Sequence, residues 1–314
     1  MTRNKWSMLT PSMIFYNGYV HTVDNHDTIV EALAISNNRI IATGSDEDIL
    51  AMAADNTQRI DLEHRSVIPG ILDTHAHAVE VGLFLKNLFC NGIPSIKDLV
   101  HAVAEKIAAL PKGAWLQGGC WIETQFSENR MPTRWDLDPV SPEHPVVIER
   151  IFSTSVVNSC ALNLAGITRD TPDPAGGMIE RDPKTGEPTG ILHRSAKALV
   201  RNMMPTGTDT GSLAGSSVAE IRELACTAMQ AFVSYGITGT LEAGVGPDMC
   251  RAYHDMHKSR ELLVRTSLMP NWYGFTITQN MDQMDRLIGE MGFYTGFGDE
   301  WLRLSGLKMA IDGG

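Results

Sequence analysis

Residues 67–77 read V-I-P-G-I-L-D-T-H-A-H, and the interpretation of the whole chain starts from this stretch. The apolar residues on either side of the Pro-Gly pair predict a buried parallel strand that begins after a turn. Side chains alternate between the two faces of a strand, so Asp73, His75 and His77 are expected on one face. Two imidazoles at a strand end suit a metal that prefers nitrogen ligands, such as zinc. The alternative is that both histidines merely bond to the backbone; the strand and the aspartate favour the metal.

Six further segments follow this stretch in a defined order. They are W-I-E-T-Q-F (121–126), R-M-P-T-R-W-D-L-D (130–138), S-P-E-H-P-V-V-I-E-R (141–150), N-S-C-A-L (158–162), T-P-D-P-A-G-G-M-I-E-R-D (171–182) and G-E-P-T-G-I-L (186–192). Together with P-G-I-L-D-T-H-A-H, this series resembles amidohydrolase family 3, the group that contains N-substituted formamide deformylases. The resemblance implies a metal-dependent hydrolase of the amidohydrolase superfamily, built on a (β/α)8 barrel.

The composition indicates a globular protein, because 43% of the residues are hydrophobic and 20% are charged. At 314 residues, the chain is longer than one hydrophobic core usually organises, so two or more structural units are expected. No apolar run approaches the roughly 18 residues that a membrane helix needs, and the first residues do not form a secretory signal. The five cysteines are odd in number and lack C-x-x-C spacing, which favours reduced thiols in the cytoplasm.

The formal net charge of −11 argues against nucleic-acid binding, which requires a basic surface. The expected partner is therefore a small-molecule substrate, with neither nucleic acid nor a membrane involved. Assembly into a homo-oligomer is left open.

Residues 1–66 are expected to form a small β unit. Strands are predicted over 14–23, 32–35, 40–43 and 58–62, with a helix over 46–53. Asn37-Asn38 is a plausible hairpin turn because asparagine tolerates a left-handed backbone. The resemblance implies that this unit is the N-terminal part of a β-sandwich domain.

Residues 67–314 are expected to supply barrel strands 1–4, with an inserted subdomain at about 86–211. Within the insertion, apolar spacing predicts a helix over 95–110, strands over 114–119 and 145–150, and a loop over 168–188. From residue 212, helices over 213–235, 247–258 and 279–291 alternate with strands over 237–243, 263–269 and 302–310. Such alternation predicts parallel βαβ units. The fold class expected is α/β: the front half of a TIM-like barrel with a small β-sandwich part and a large insertion after the first barrel strand.

Lys308 lies within the predicted fourth strand, among Leu, Met, Ala and Ile. Burial and a nearby metal would lower the pKa of its amine and make the neutral form available. The resemblance implies that this amine takes up carbon dioxide, forming a carbamate that bridges two divalent metals. The alternative is an exterior lysine whose stem covers apolar surface.

Other site residues are weaker candidates. Asp73 is expected to orient a ligand histidine rather than to bind metal. Trp121, Arg150 and Asp312 are candidates to line the substrate pocket, although a structural tryptophan and a solvated arginine are equally compatible with the sequence.

The chain departs from the family pattern at three places, which affect substrate preference more than fold or metal. Phe152-Ser153-Thr154 stands where relatives often have Gly-His, Arg194 where they often have an acid, and Leu241-Glu242 where they often have His-Asp.

The function expected is hydrolysis of C–N bonds, in amides or N-acyl and N-formyl groups of small molecules. One or two divalent ions, with zinc favoured, would activate water for attack on the carbonyl. An ester or lactone hydrolase on the same site and a non-catalytic scaffold are the alternatives. The resemblance also implies two further histidine ligands and a general-base aspartate from later strands; no catalytic residue is assigned within 1–314. These missing groups, and the unpaired edges of four barrel strands, predict that the chain is the front part of a longer protein.

Overall fold

The computed structural model describes residues 10–150, 153–204, 216–271, 292 and 294–308. Its fold class is α/β, with both parallel and antiparallel strand pairs. The chain divides into two compact units, Met1–Ile71 and Leu72–Gly314.

The described part of the first unit contains seven strands and one short helix. In chain order these are β1 (Met13–Tyr16), β2 (Tyr19–His21), β3 (Ile29–Val30), β4 (Ala32–Ser36), β5 (Arg39–Gly44), α1 (Asp46–Leu50), β6 (Gln58–Asp61) and β7 (Ser66–Val67). One sheet has the order β5-β4-β1-β6 and the other the order β3-β2-β7. Ile14 and Ile49 belong to one buried apolar cluster of this unit, and Val20 and Leu62 belong to a second.

The strand predicted over residues 14–23 is instead two strands, β1 and β2. The chain breaks at Asn17, which has φ 58°. Gly18 follows, where a Cβ atom would lie 2.5 Å from Leu62 Cδ1, so only glycine fits. The prediction of one continuous strand is wrong because a run of strand-forming residues does not show where the backbone passes from one sheet to the next.

The Asn37-Asn38 hairpin is confirmed. Both residues have positive φ, 51° and 60°, and they join β4 to β5 in an antiparallel pair. Two successive left-handed residues match the right-handed twist of a hairpin, and asparagine adopts that conformation more readily than most residues. The predicted helix over 46–53 is shorter than expected and ends at Leu50.

β8 (Ile71–Ala76) leads into the second unit, and α2 (Ala78–Lys86) follows it. The next part of the chain contains six strands and four helices, in addition to a 3-10 turn at Glu123–Gln125. In chain order these are β9 (Leu88–Phe89), α3 (Ile96–Ala108), β10 (Leu116–Gly119), α4 (Arg134–Leu137), β11 (Val146–Glu149), β12 (Thr154–Val157), α5 (Ser159–Leu164), β13 (Gly177–Arg181), β14 (Pro188–Arg194) and α6 (Lys197–Arg201). The six strands form one mixed sheet in the order β13-β14-β12-β11-β10-β9.

The helix predicted over 95–110 is confirmed as α3. Ser95 caps it by accepting a hydrogen bond from the Asp98 N–H, and the apolar face lies in the core of the mixed sheet. The loop predicted over 168–188 is partly wrong, because β13 lies within it and pairs antiparallel with β14. The loop-forming residues mark only the turn, where Asp182 Oδ1 accepts from the N–H groups of Lys184 and Thr185.

The last part of the unit contains helices that alternate with strands. These elements are α7 (Val218–Ser234), β15 (Ile237–Val245), α8 (Pro247–Lys258), β16 (Arg265–Pro270) and β17 (Leu302–Leu304). With β8 they form a sheet in the order β17-β16-β15-β8, in which β15, β16 and β17 run parallel. Residues of α2, α7 and α8 share one buried apolar cluster with β15 and β16. The prediction of parallel strands is thus confirmed for β15, β16 and β17, and α8 is the predicted helix between β15 and β16.

Two predictions for this part differ from the structure or fall outside it. The helix predicted over 279–291 lies outside the described residues. The strand predicted over 302–310 ends at Leu304. Lys308 therefore lies outside the strand, contrary to the prediction. Gly306, with φ 152°, interrupts the pleat, yet the N–H groups of Ser305 and Lys308 still donate to carbonyls of β16.

The burial expected for the apolar stretch around β8 is wrong. Ile68 is 63% exposed, Ile71 is 49% exposed and Leu72 is 68% exposed. In the described residues β8 lies at an edge of its sheet, next to β15. An apolar sequence predicts burial on both faces of a strand, but burial also requires elements that cover those faces.

Within the described ranges this sheet is open, with β8 at one edge and β17 at the other, so a closed barrel is not seen there. Of the helices that the structure describes, none has the length and apolar character needed to cross a bilayer.

Candidate functional site

The two histidines that the sequence singles out lie together at the carboxyl end of β8. His75 is in the strand and is exposed, whereas His77 is half-buried and immediately precedes α2. Their ring centroids are 5.2 Å apart, with the ring planes inclined at 56°. The structure therefore brings both imidazoles into one small region, as their spacing predicts.

Asp73 contacts the backbone of this pair. Its Oδ1 accepts a hydrogen bond from the His75 backbone N–H at 3.0 Å. This contact holds the strand backbone at His75, and a role of Asp73 in orienting a histidine ring stays a prediction. The carboxylate also acts on His77, where its negative charge partly opposes the effects that lower the pKa of the ring.

His77 is neutral at physiological pH. Burial lowers the pKa of its ring to about 4, assisted by the positive charges of His75 and Lys308. A neutral imidazole has the lone pair that a metal requires, whereas a protonated one does not. The environment of His77 therefore keeps the ring in the form that binds metal.

Lys308 lies close enough for its charge to act on His77. Its backbone N–H donates to the Pro270 carbonyl at 2.9 Å, which places the residue beside the carboxyl end of β16. A Cβ atom on Gly244, which has φ 82°, would lie 3.9 Å from the Lys308 side chain. The histidines, Gly244 and Lys308 thus lie at the carboxyl ends of neighbouring strands, the edge where open α/β sheets bind ligands.

The two pocket candidates that the structure describes are engaged in other contacts. Trp121 is fully buried in the core of the mixed sheet, where it stacks on Phe126 with centroids 5.7 Å apart. Arg150 makes two hydrogen bonds to the Glu123 carboxylate, at 2.6 and 2.9 Å. This pairing holds the pKa of Glu123 below its usual value. The placement of Trp121 favours the structural alternative, whereas Arg150 is half-buried and paired rather than solvated. Asp312 lies outside the described residues.

A buried acid lies beside the residue that follows His77, and the sequence indicates it only as a departure from the family pattern. Glu242, on β15, is fully buried, and its Oε2 accepts from the Ala78 backbone N–H at 2.9 Å. Burial raises the pKa of this carboxyl to about 8; the Ala78 N–H opposes the rise and nearby Glu80 adds to it. A charged residue within T-G-T-L-E-A-G-V was the signal that could have identified it.

The described residues fit part of a metal site. They hold no group of three or more His, Cys, Asp or Glu side chains arranged to bind an ion. Two adjacent imidazoles, one of them neutral by its surroundings, are nevertheless suitable zinc ligands, and zinc usually takes about four. His75 and His77 would therefore hold a divalent ion together with other groups.

An α/β fold with paired histidines at a strand end is typical of metal-dependent hydrolases. Residues 58–314 match the model of the amidohydrolase family, and the chain belongs to that family. This confirms the resemblance seen in the sequence.

Relatives of this chain are found in plants and bacteria. It is 28% identical over 316 residues to Protein LONG AFTER FAR-RED 3 of Arabidopsis thaliana, covering 97% of this chain and 51% of that protein. It is 28% identical over 244 residues to an N-substituted formamide deformylase of Arthrobacter pascens, covering 77% of this chain and 44% of that protein. The chain thus spans about half the length of these relatives.

A similar fold occurs in an uncharacterised metal-dependent hydrolase of Pyrococcus furiosus. The TM-score is 0.60 at 23% identity, covering 96% of this chain and 57% of the other. At this identity the likeness shows the fold alone.

Proposed function

We propose that the protein is a metal-dependent hydrolase of C–N bonds in small molecules, acting on amides or on N-acyl and N-formyl groups. The observation that carries this proposal is the His75–His77 pair, with ring centroids 5.2 Å apart at the carboxyl end of β8. Membership of the amidohydrolase family and the relationship to a formamide deformylase support it.

The chain's own residues prepare this site in two ways. Burial keeps the His77 ring neutral, so that one ring nitrogen retains the lone pair that a metal requires. Asp73 holds the backbone at His75. A divalent ion held there, with zinc favoured by the nitrogen ligands, would polarise the substrate carbonyl and lower the pKa of a water molecule.

Lys308 is proposed to carry a carbamate. Its ammonium group would first lose a proton; the neutral Nζ would then attack carbon dioxide, forming an N–C bond while one C=O π bond opens and a second proton leaves the nitrogen. The product would be an anionic group with two oxygen atoms in place of a cation. Support comes from the position of Lys308 beside His77, on which its charge acts. Such a group could bridge two divalent ions.

The finer architecture is also a proposal. We interpret β8, β15, β16 and β17 as four consecutive strands of a (β/α)8 barrel, with residues 1–66 as part of a β-sandwich domain and about 86–211 as an insertion. The parallel order of β15, β16 and β17 supports this interpretation. All five cysteines are free thiols, which supports a reducing, cytoplasmic location.

The test compares His75→Ala, His77→Ala and the double variant with the unsubstituted protein. Elemental analysis should show loss of most bound metal, and a library of N-formyl and N-acyl compounds should show loss of hydrolysis. His101→Ala is the matched control, because that histidine is exposed on α3 and pairs only loosely with Glu105.

Three results would contradict the proposal. A double alanine variant with a full metal complement would show that the histidines are not the ligands. Faster hydrolysis of lactones or esters than of any amide would favour the rival activity. Bound metal without hydrolysis of any compound would favour a non-catalytic scaffold.

A further inference from the structure

Glu242 and Ala78 are 164 residues apart in the sequence but are joined by a hydrogen bond. The carboxyl group lies in the interior of the second unit, with none of its residue surface exposed. Ala78 is also buried and is the first residue of α2, directly after His77. The contact therefore connects β15 to the turn that carries a proposed metal ligand.

The contact supplies a hydrogen-bond acceptor for the backbone N–H groups at the start of α2. The first N–H groups of a helix have no partner within the helix, and a side chain at the residue before it usually accepts from one of them. His77 occupies that position, and its side chain makes no capping hydrogen bond. The Glu242 carboxyl accepts instead, and the N–H groups of both Ala78 and Val79 act on it.

A carboxyl group in this interior position is unfavourable unless it has a specific role, because its burial costs free energy. An apolar side chain of equal length would fill the same space beside Tyr253. The position nevertheless carries a side chain whose oxygen accepts from the Ala78 N–H at the start of α2, which an apolar side chain could not do. Its placement is thus better explained by the helix end than by packing.

We propose that Glu242 is a positioning residue that holds the start of α2 and thereby orients the His77 ring toward His75. Because His77 is followed at once by the residue that Glu242 binds, a shift of α2 changes the direction of the ring. To share one ion, each of two ligands must lie within a few tenths of an ångström of its ideal distance from the metal. The role rests on the proposed function, in which His75 and His77 hold that ion.

The experiment compares Glu242→Met with Glu242→Gln. Methionine has the same length and cannot accept from the N–H groups, whereas the glutamine amide oxygen can. Zinc affinity, measured by titration with a competing chelator, should fall about 10- to 100-fold in Glu242→Met, as is typical when a group supporting a ligand is removed. Glu242→Gln should bind zinc much more like the unsubstituted protein.

A second readout does not depend on metal. Crystal structures of the metal-free variants should keep the 5.2 Å ring separation in Glu242→Gln and lose it in Glu242→Met. Thr266→Val is the control, because it removes a buried hydroxyl from β16 without touching α2. It should change neither zinc affinity nor ring geometry.

The outcomes distinguish a failure of the positioning role from a failure of the proposed function. If the unsubstituted protein binds no zinc, the proposed function fails, but the ring geometry still decides the role of Glu242. Unchanged affinity and geometry in Glu242→Met would overturn the positioning role. If that variant does not fold, Glu242→Gln decides, since loss of the ring arrangement despite a retained acceptor would also overturn it.

Discussion

Gly82 of α2 lies directly against the backbone of Leu224 in α7. A Cβ atom at residue 82 would overlap the Leu224 carbonyl group. The two helices are therefore in contact at their main chains, which a larger residue would prevent. This contact also fixes the position of α2, the helix that begins directly after His77.

Gly82→Ala is expected to destabilise the protein by about 1–3 kcal/mol, because the added methyl group must push α2 and α7 apart. Thermal or denaturant unfolding measures the loss. Gly44→Ala is the control, since the position that its Cβ would take has only ordinary contacts, at 3.9 Å from the Ile49 side chain. Equal stability of the two variants would show that the helices do not meet as described.

Lys308 is expected to gain the mass of one carbon dioxide molecule when the protein is kept with metal and bicarbonate under native conditions. Lys308→Ala should lose both the added mass and the hydrolase activity. Short carboxylic acids should restore part of that activity, because a carboxylate can replace the bridging oxygens. Lys112→Ala is the control, because Lys112 is exposed and pairs with Glu143. An ordered metal-bound structure with the Lys308 amine directed away from the metal would exclude the carbamate.

The carboxyl of Glu242 should make stability depend on pH. Its pKa is about 8 in the folded protein against an ordinary value of 4.5, so the folded state holds a proton that the unfolded state releases between these values. The contribution of this group to the stability of the protein should therefore be greatest below about pH 4.5 and should fall as the pH rises toward 8. The expected loss is on the order of 5 kcal/mol, because a difference of about 3.5 pKa units corresponds to about 1.4 kcal/mol per unit.

The measurement is the melting temperature of metal-free protein across this pH range, because a bound cation would alter the titration. Glu242→Gln has no proton to release and should show a flatter profile. Profiles of equal slope in the two proteins would mean that Glu242 does not titrate in this way.

Glu149 and Lys197 form a buried ion pair in the mixed-sheet part of the chain. Lys197 Nζ lies 2.6 Å from Glu149 Oε2, and both side chains are at most 5% exposed. Lys197→Met should destabilise the protein by about 3 kcal/mol, because it leaves a buried carboxylate with less compensation. The value lies at the low end of the usual range because Arg201 and Ser155 still contact Glu149.

The double variant Lys197→Met/Glu149→Gln should recover part of that stability, since it removes the charge that the single change leaves behind. Arg169→Met, which breaks the exposed pair with Glu187, should change stability by less than about 1 kcal/mol. Additive effects of the two changes at the buried pair would show that the residues are not coupled.

The sequence determined the features that depend on neighbours along the chain. Apolar spacing and the Ser95 cap predict α3, and two asparagines predict the turn between β4 and β5. The alternation of side chains along a strand predicts that His75 and His77 lie together. Each of these patterns reflects local backbone geometry, so it can be read without knowledge of the fold.

Only the tertiary structure decided which side chains reach the site from elsewhere. Glu242 meets Ala78 across 164 residues, Trp121 lies in a core rather than a pocket, and Leu72 is exposed despite its apolar surroundings in the sequence. Burial and contact depend on which elements cover a residue, and that depends on how strands pair. Strand pairing joins residues far apart in the chain, so no local pattern contains this information.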